Sequence, residues 1–194
     1  QVNRERYVAF IRRHRIAMGS PDGWGRFLAL CGRQGDGREA FDAYLAQKKI
    51  ARTSRAKFRV LWDLVRRHSQ ERMLVFTADN ATAYEIGSRF LLPVLTHHTK
   101  ATERRTFLGG FRSGELPILV TSRVLNEGVD VPQASVGVVV SGSGSIREHV
   151  QRLGRILRPV AGKKAVLYEL VSAQTSESFT SQRRRQHRAY QRPD

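Results

Sequence analysis

Met73-Leu-Val-Phe-Thr-Ala-Asp-Asn-Ala-Thr-Ala-Tyr-Glu-Ile-Gly-Ser-Arg-Phe90 decides the fold. Its first five residues are an apolar run of strand length, and residues 81–90 follow at helical spacing, so the stretch reads as strand, turn and helix. The rhythm continues downstream. Val94–Thr96 reads as a strand, Thr102–Phe111 as a helix, Ile118–Ser122 and Ser135–Val140 as strands, Ile146–Leu157 as a helix and Ala165–Val171 as a strand. The strands are apolar on both faces, and strands of that kind between helices predict an α/β fold: a parallel sheet flanked by helices on both sides.

Upstream, residues 1–70 carry no β signal. Tyr7, Phe10 and Ile11 sit at helical spacing, Gly19-Ser-Pro-Asp-Gly23 breaks the chain, and Trp24–Leu30 starts a second short helix. Gly32–Gly37 reads as a flexible turn, followed by helices over Arg38–Ile50 and from an N-cap at Ser54 to His68. The expected organisation is a small helical segment, 1–53, ahead of a main domain, 54–194. The latter ends in a polar helix, Ser176–Tyr190, bearing Arg183, Arg184, Arg185 and Arg188.

The 194 residues hold 34 Lys+Arg against 17 Asp+Glu, a net charge of +17. Only six of the basic residues are Lys, and the other 28 are Arg, whose planar fork matches phosphate oxygens. A polyanionic partner is the expectation, with a solvated basic surface as the competing explanation. No apolar run is long enough to span a membrane, and the basic residues do not line one helix face as membrane-surface binding would require. A single Cys, Cys31, excludes an internal disulfide framework, and with no apolar signal-like core near residue 1 a cytoplasmic setting is expected.

In open parallel sheets ligands bind at the carboxyl ends of the strands, so the segments after Ser122 and Val140 carry the chemistry. Ser122-Arg-Val-Leu-Asn-Glu-Gly-Val-Asp-Val-Pro132 offers Gly128 for close backbone approach and Asp130 as an acceptor for a sugar hydroxyl. Taken alone, Asp130 reads as a turn or capping residue before Pro132. Gln151-Arg-Leu-Gly-Arg-Ile-Leu-Arg-Pro159 spaces Arg152, Arg155 and Arg158 along one helix, with Leu153, Ile156 and Leu157 on the opposite side. That is either a solvated basic face or a set of phosphate clamps on a packed element. Gly and Ser at 141–145 need no ligand, since Ser145 and Glu148 form a capping box for this helix. His97 and His98 lack a third ligand at metal spacing, so no zinc site is expected.

Together these blocks resemble motifs V and VI of the second RecA-like domain of superfamily 2 helicases and translocases. Leu74–Thr77 falls at the place of motif IV, and Thr102–Gly114 resembles the helix before the motif V strand. Residues 141–159, Lys163–Leu170 and the Thr175–Tyr190 tail are similar to the C-terminal domain of XPB-type DNA helicases of the prokaryotic branch, over residues 54–190. The resemblance implies a RecA-like sheet and an ATP-dependent DNA motor, with roles in DNA repair or remodelling. It implies that Arg155 and Arg158 reach the γ-phosphate of ATP, that Gln151 senses it, and that Gly128 and Asp130 approach the ribose. Ser122, Thr77, Asn80 and Arg104 would meet the nucleic-acid backbone, while Arg152 would support motif VI internally. Neither a Gly-x-x-x-x-Gly-Lys-[Ser/Thr] loop nor an Asp-Glu box occurs, so Mg2+ would be held by a first RecA-like domain that this chain lacks. The expected partners are DNA and that first domain, in a nucleoid-associated protein, and the fragment alone is expected to be inactive as an ATPase. The implied role for residues 1–53 is a thumb-like element or a linker helix. Two alternatives stand beside this reading: another superfamily 2 translocase subunit, UvrB-like or restriction-type, and a basic nucleic-acid-binding module that never meets ATP.

Overall fold

A computed structural model of the chain describes residues 2–122, 134–140, 165–173, 175, 177, 178 and 181. The chain divides into two compact units, Gln1–Ala51 and Arg52–Asp194.

The first unit is helical, with α1 (Val2–Arg13), α2 (Gly23–Arg33) and the body of α3 (Gly37–Arg52). Its centre is Phe27, fully buried, with the rings of Tyr7 and Phe10 edge-on to it at 5.6 and 6.0 Å. Such aromatic pairs add roughly 0.5–1.5 kcal/mol each beyond their burial. Ile16 and Ala40 complete the core. Two glycines close the joints: a Cβ on Gly23 would collide with the Ala17 carbonyl oxygen, and one on Gly37 with that of Cys31. Gly32 departs from the expected flexible turn. It lies inside α2, which runs on to Arg33, and open space surrounds its Cβ position, so the helix absorbs it without strain.

In the second unit, α4 (Arg55–Arg67) starts at Ser54, whose hydroxyl accepts from the Lys57 backbone N–H at 3.3 Å. The alternation expected from the sequence follows: β1 (Met73–Phe76), α5 (Asn80–Phe90), β2 (Val94–Leu95), α6 (Ala101–Ser113), β3 (Ile118–Thr121), β4 (Val136–Val139) and β5 (Val166–Glu169). All pairings are parallel and the strand order is β2-β3-β1-β4-β5. Side chains of β1 alternate between two apolar layers. Met73 and Val75 pack with Phe58, Leu61, Leu64 and Val65 of α4 and with Ala83 and Ile86 of α5. Leu74 and Phe76 pack with Leu108 and Phe111 of α6 on the other side. Helices therefore cover both faces.

Four strands stop one residue earlier than expected, at Phe76, Leu95, Thr121 and Val139; after the first three, Thr77, Thr96 and Ser122 turn their side chains into a polar network at the sheet's carboxyl edge. The expected helices over 146–157 and 176–190 fall wholly or largely outside the described residues, and none of the described helices is long and apolar enough to cross a membrane.

Candidate nucleic-acid interface at the carboxyl edge of the sheet

β1 is central, with Phe76 in register with Thr121 of β3 on one side and Val139 of β4 on the other. Ser122 and Val140 therefore leave the sheet on either side of Thr77. Ser122 opens the first motif-bearing segment, and the chain after Val140 leads on to the second, Gln151–Pro159. Gly128, Asp130, Gln151, Arg152, Arg155 and Arg158 themselves lie outside the described residues.

Thr77 is buried and its hydroxyl donates to the Asp79 carbonyl at 2.9 Å, tying the strand end to the start of α5. Asp79 then caps the helix, accepting from the backbone N–H and the hydroxyl of Thr82, both at 2.8 Å. Its second oxygen meets Arg52 at 3.0 Å. This satisfies an orphan helix N–H and pins the position of the first helical residue, Asn80. The Asn80 side chain is a junction: its Oδ1 accepts from the Ser122 hydroxyl at 2.5 Å, and its Nδ2 donates to Nδ1 of His97 at 3.2 Å.

His97 belongs to the loop after β2, which is built around Thr96. The Thr96 hydroxyl bonds Tyr84 Oη at 2.9 Å and accepts from the His98 N–H, while its own backbone N–H donates to Thr99 Oγ1 at 2.9 Å. Arg104, in the first turn of α6, closes the loop with a 3.2 Å bond to the Thr96 carbonyl. One guanidinium N–H is occupied there, leaving further donors on the same group.

Of the four proposed backbone-contact residues, Ser122, Asn80 and Thr77 are thus bound together at the ends of β3 and β1, and Arg104 joins them through the β2 loop. They are not equivalent. Ser122 is 3% exposed and Thr77 5% exposed, with both hydroxyl hydrogens engaged internally, whereas Asn80 and Arg104 are half-buried. Tyr84, Thr96 and His97 complete the network and were not singled out from the sequence as contacts. Their signal, polar residues clustered at predicted strand ends, is too common to mark them.

A second anchor was also missed. Lys57 is 4% exposed on the packed face of α4, and its ammonium donates to the Val140 carbonyl at 2.7 Å and to Glu177 at 2.6 Å. Glu177 also accepts from the Ser172 N–H at 3.0 Å, so this ion pair ties the segment after β5 to the end of β4. Burial pushes the Lys57 ammonium below its usual value despite the opposing pull of Glu177. The signal was present: Lys57 shares the inward stripe of Leu61 and Leu64.

The family description ERCC3/RAD25/XPB C-terminal helicase matches residues 38–191. The chain belongs to this family. Among relatives of the XPB family, the DNA 3'-5' translocase XPB2 of Sulfurisphaera tokodaii is 37% identical over 183 residues, covering 94% of this chain and 42% of that protein. The DNA 3'-5' helicase XPB of Mycobacterium tuberculosis is 40% identical over 126 residues, covering 64% of this chain and 23% of that protein. The chain thus spans less than half the length of these curated relatives. The C-terminal domain of the DEAD-box protein Dbp5 superimposes with a TM-score of 0.60 at 23% identity, over 70% of this chain and 79% of that one. A DEAD box protein from Methanococcus jannaschii gives 0.58 at 19% identity, over 71% and 37%. The sheet is therefore the RecA-like sheet of helicase C-terminal domains.

Proposed function

We propose that this chain is the second motor domain of an ATP-dependent DNA 3'-5' helicase or translocase, acting in DNA repair or remodelling. The observation that carries the reading is the family match over 38–191 on an all-parallel sheet, with the two motif segments following β3 and β4 in the chain. Hydrolysis would take place between this domain and a first RecA-like domain that holds the triphosphate and Mg2+. Arg155 and Arg158 would stabilise charge developing on the γ-phosphate, Gln151 would sense that group, and Gly128 with Asp130 would contact the ribose. Arginine fingers of this kind are worth about 10³–10⁵ in rate.

On the DNA side, Asn80 and Arg104 keep outward donors, while Ser122 and Thr77 position Asn80 from beneath and Thr96 holds Arg104. A strand lying along this edge would be held by phosphate contacts and carry no base information. The helical unit 1–51, with Arg4, Arg6, Arg12, Arg13, Arg15, Arg26, Arg33 and Arg38, is read as a thumb-like or linker element between the motor domains.

The test uses the complete two-domain protein. Arg155→Ala and Arg158→Ala should each abolish DNA-stimulated phosphate release while leaving DNA affinity nearly unchanged. Triple replacement of Arg183, Arg184 and Arg185 by Ala should spare basal turnover and reduce the salt dependence of DNA binding. Loss of DNA affinity with hydrolysis intact in Arg155→Ala would make that helix a nucleic-acid grip and refute the arginine-finger assignment.

A further inference from the structure

We propose that His97 is a DNA-backbone contact, donating its Nε2–H to a phosphate oxygen, and that Ser122 and Asn80 hold the ring in the tautomer this requires. The inference rests on the reading that DNA runs along the carboxyl edge of the sheet, and it adds a residue that the resemblance did not assign.

The argument starts from the buried end of the network. Ser122 is fixed by its N–H bond to the Leu95 carbonyl and is almost fully buried, and its hydroxyl donates to Asn80 Oδ1. The amide oxygen faces Ser122 in this arrangement. The opposite side of the group, Nδ2, is a donor only, and it points at His97 Nδ1. His97 must therefore accept at Nδ1, so the ring is neutral there and carries its proton on Nε2. Among the described residues no other hydrogen bond reaches this ring; the His98 ring packs against it at 3.8 Å between centroids, and His97 is exposed. The loop beneath it is held by Thr96, Thr99 and Tyr84, so the ring is presented from a fixed base.

The neighbouring groups decide the ligand. The second Nδ2 hydrogen of Asn80, the remaining guanidinium N–H groups of Arg104 and the Nε2–H of His97 are all donors. Among the described residues the one carboxylate of this network, Asp79, is taken up by Thr82 and Arg52. Such a cluster of donors suits an oxyanion, and on the edge of a nucleic-acid motor that oxyanion is a phosphodiester oxygen.

A neutral donor differs from a charged one in a measurable way. Lys or Arg contacts release counterions and steepen the salt dependence of binding, whereas a neutral imidazole N–H adds affinity with no change in slope. The experiment is binding of labelled DNA oligonucleotides, single-stranded and duplex, to the chain over a salt series by fluorescence anisotropy. His97→Ala should weaken binding about tenfold at every salt concentration with an unaltered slope. Arg104→Ala should instead lower the slope by about 0.7–0.9. Asn80→Leu should weaken binding at least as much as His97→Ala, and the two together should be no worse than Asn80→Leu alone. Ring nitrogen NMR of the unsubstituted chain should show His97 protonated at Nε2 and that resonance moving when DNA is added.

Parent-like binding by His97→Ala, with Arg104→Ala impaired, overturns the His97 contact and leaves the DNA reading standing. A fall in slope for His97→Ala, or a proton found on Nδ1, overturns the tautomer assignment. Absence of DNA binding by the parent chain sinks the DNA reading itself.

Discussion

Lys57→Met is the most direct test of how the segment after β5 is held. The substitution keeps length and apolar stem but deletes a charge that is 5% exposed and makes two short bonds, to Glu177 and the Val140 carbonyl. Removing one partner of a buried pair leaves an uncompensated charge and typically costs 3–5 kcal/mol. Glu177 is 19% exposed and retains the Ser172 N–H, which places the expected loss at the lower end, about 3 kcal/mol. For a chain of this size that is a fall of about 6–12 °C in melting temperature. Glu177→Gln in the same chain keeps an acceptor for Ser172 while removing the stranded charge, so the double variant should recover most of the loss, a coupling of about 2 kcal/mol. Urea unfolding followed by Trp62 fluorescence in a Trp24→Phe background reads the sheet-bearing unit by itself, since the chain has two Trp. The pH dependence has a defined sign. Burial lowers the folded-state pKa of Lys57 from 10.5, so between the lowered value and 10.5 the unfolded chain binds a proton that the folded one does not. Stability from this group therefore rises with pH across that window, and Lys57→Met removes the rise. A single variant within about 0.5 kcal/mol of the parent, or a double variant whose losses simply add, would refute the buried-pair reasoning.

The helical unit should respond to alkali in the opposite direction. Burial first, then the negative charges of Tyr44 and Cys31, raise the Tyr7 hydroxyl above 10.0, so its contribution is complete below pH 10.0 and is lost as pH rises through the raised value. Trp24 fluorescence in a Trp62→Phe background should report that loss, and Tyr7→Phe should remove it; a parent that gains stability there contradicts the assignment. Cys31 should react with a thiol reagent at neutral pH more slowly than a free cysteine, because burial and then Asp36 disfavour its thiolate. Asp36→Asn should speed the reaction, and a parent rate above that of free cysteine would disprove the proposed environment.

Much of the site was legible because strand ends are legible. The apolar runs placed Thr77 and Ser122 at strand ends, while the resemblance to the helicase motifs singled out Thr77, Asn80, Ser122 and Arg104 as backbone contacts. What the runs could not convey is which of these side chains faces outward. Thr77 and Ser122 look like surface contacts in the sequence, yet both are engaged internally, and His97 acquires its place only because β2 pairs with β3 and brings Leu95 beside Ser122. Lys57 hid in plain view, one cation on an apolar stripe. Its partner Glu177 lies 120 residues away, too far for any local pattern to connect them.

The sequence by itself determined the alternation of strands and helices, the burial of both sheet faces, the cap at Ser54 and the basic balance, since each depends on residue type and local spacing alone. Tertiary structure decided the strand order β2-β3-β1-β4-β5 and the pairings that follow from it. Uniformly apolar parallel strands are interchangeable to a local reading; only the fitting of α4 and α5 on one face and α6 on the other selects which becomes central. That choice puts Ser122 and Val140 on opposite sides of Thr77, joins Ser122 to Asn80 and His97, and sets Lys57 beneath the end of β4.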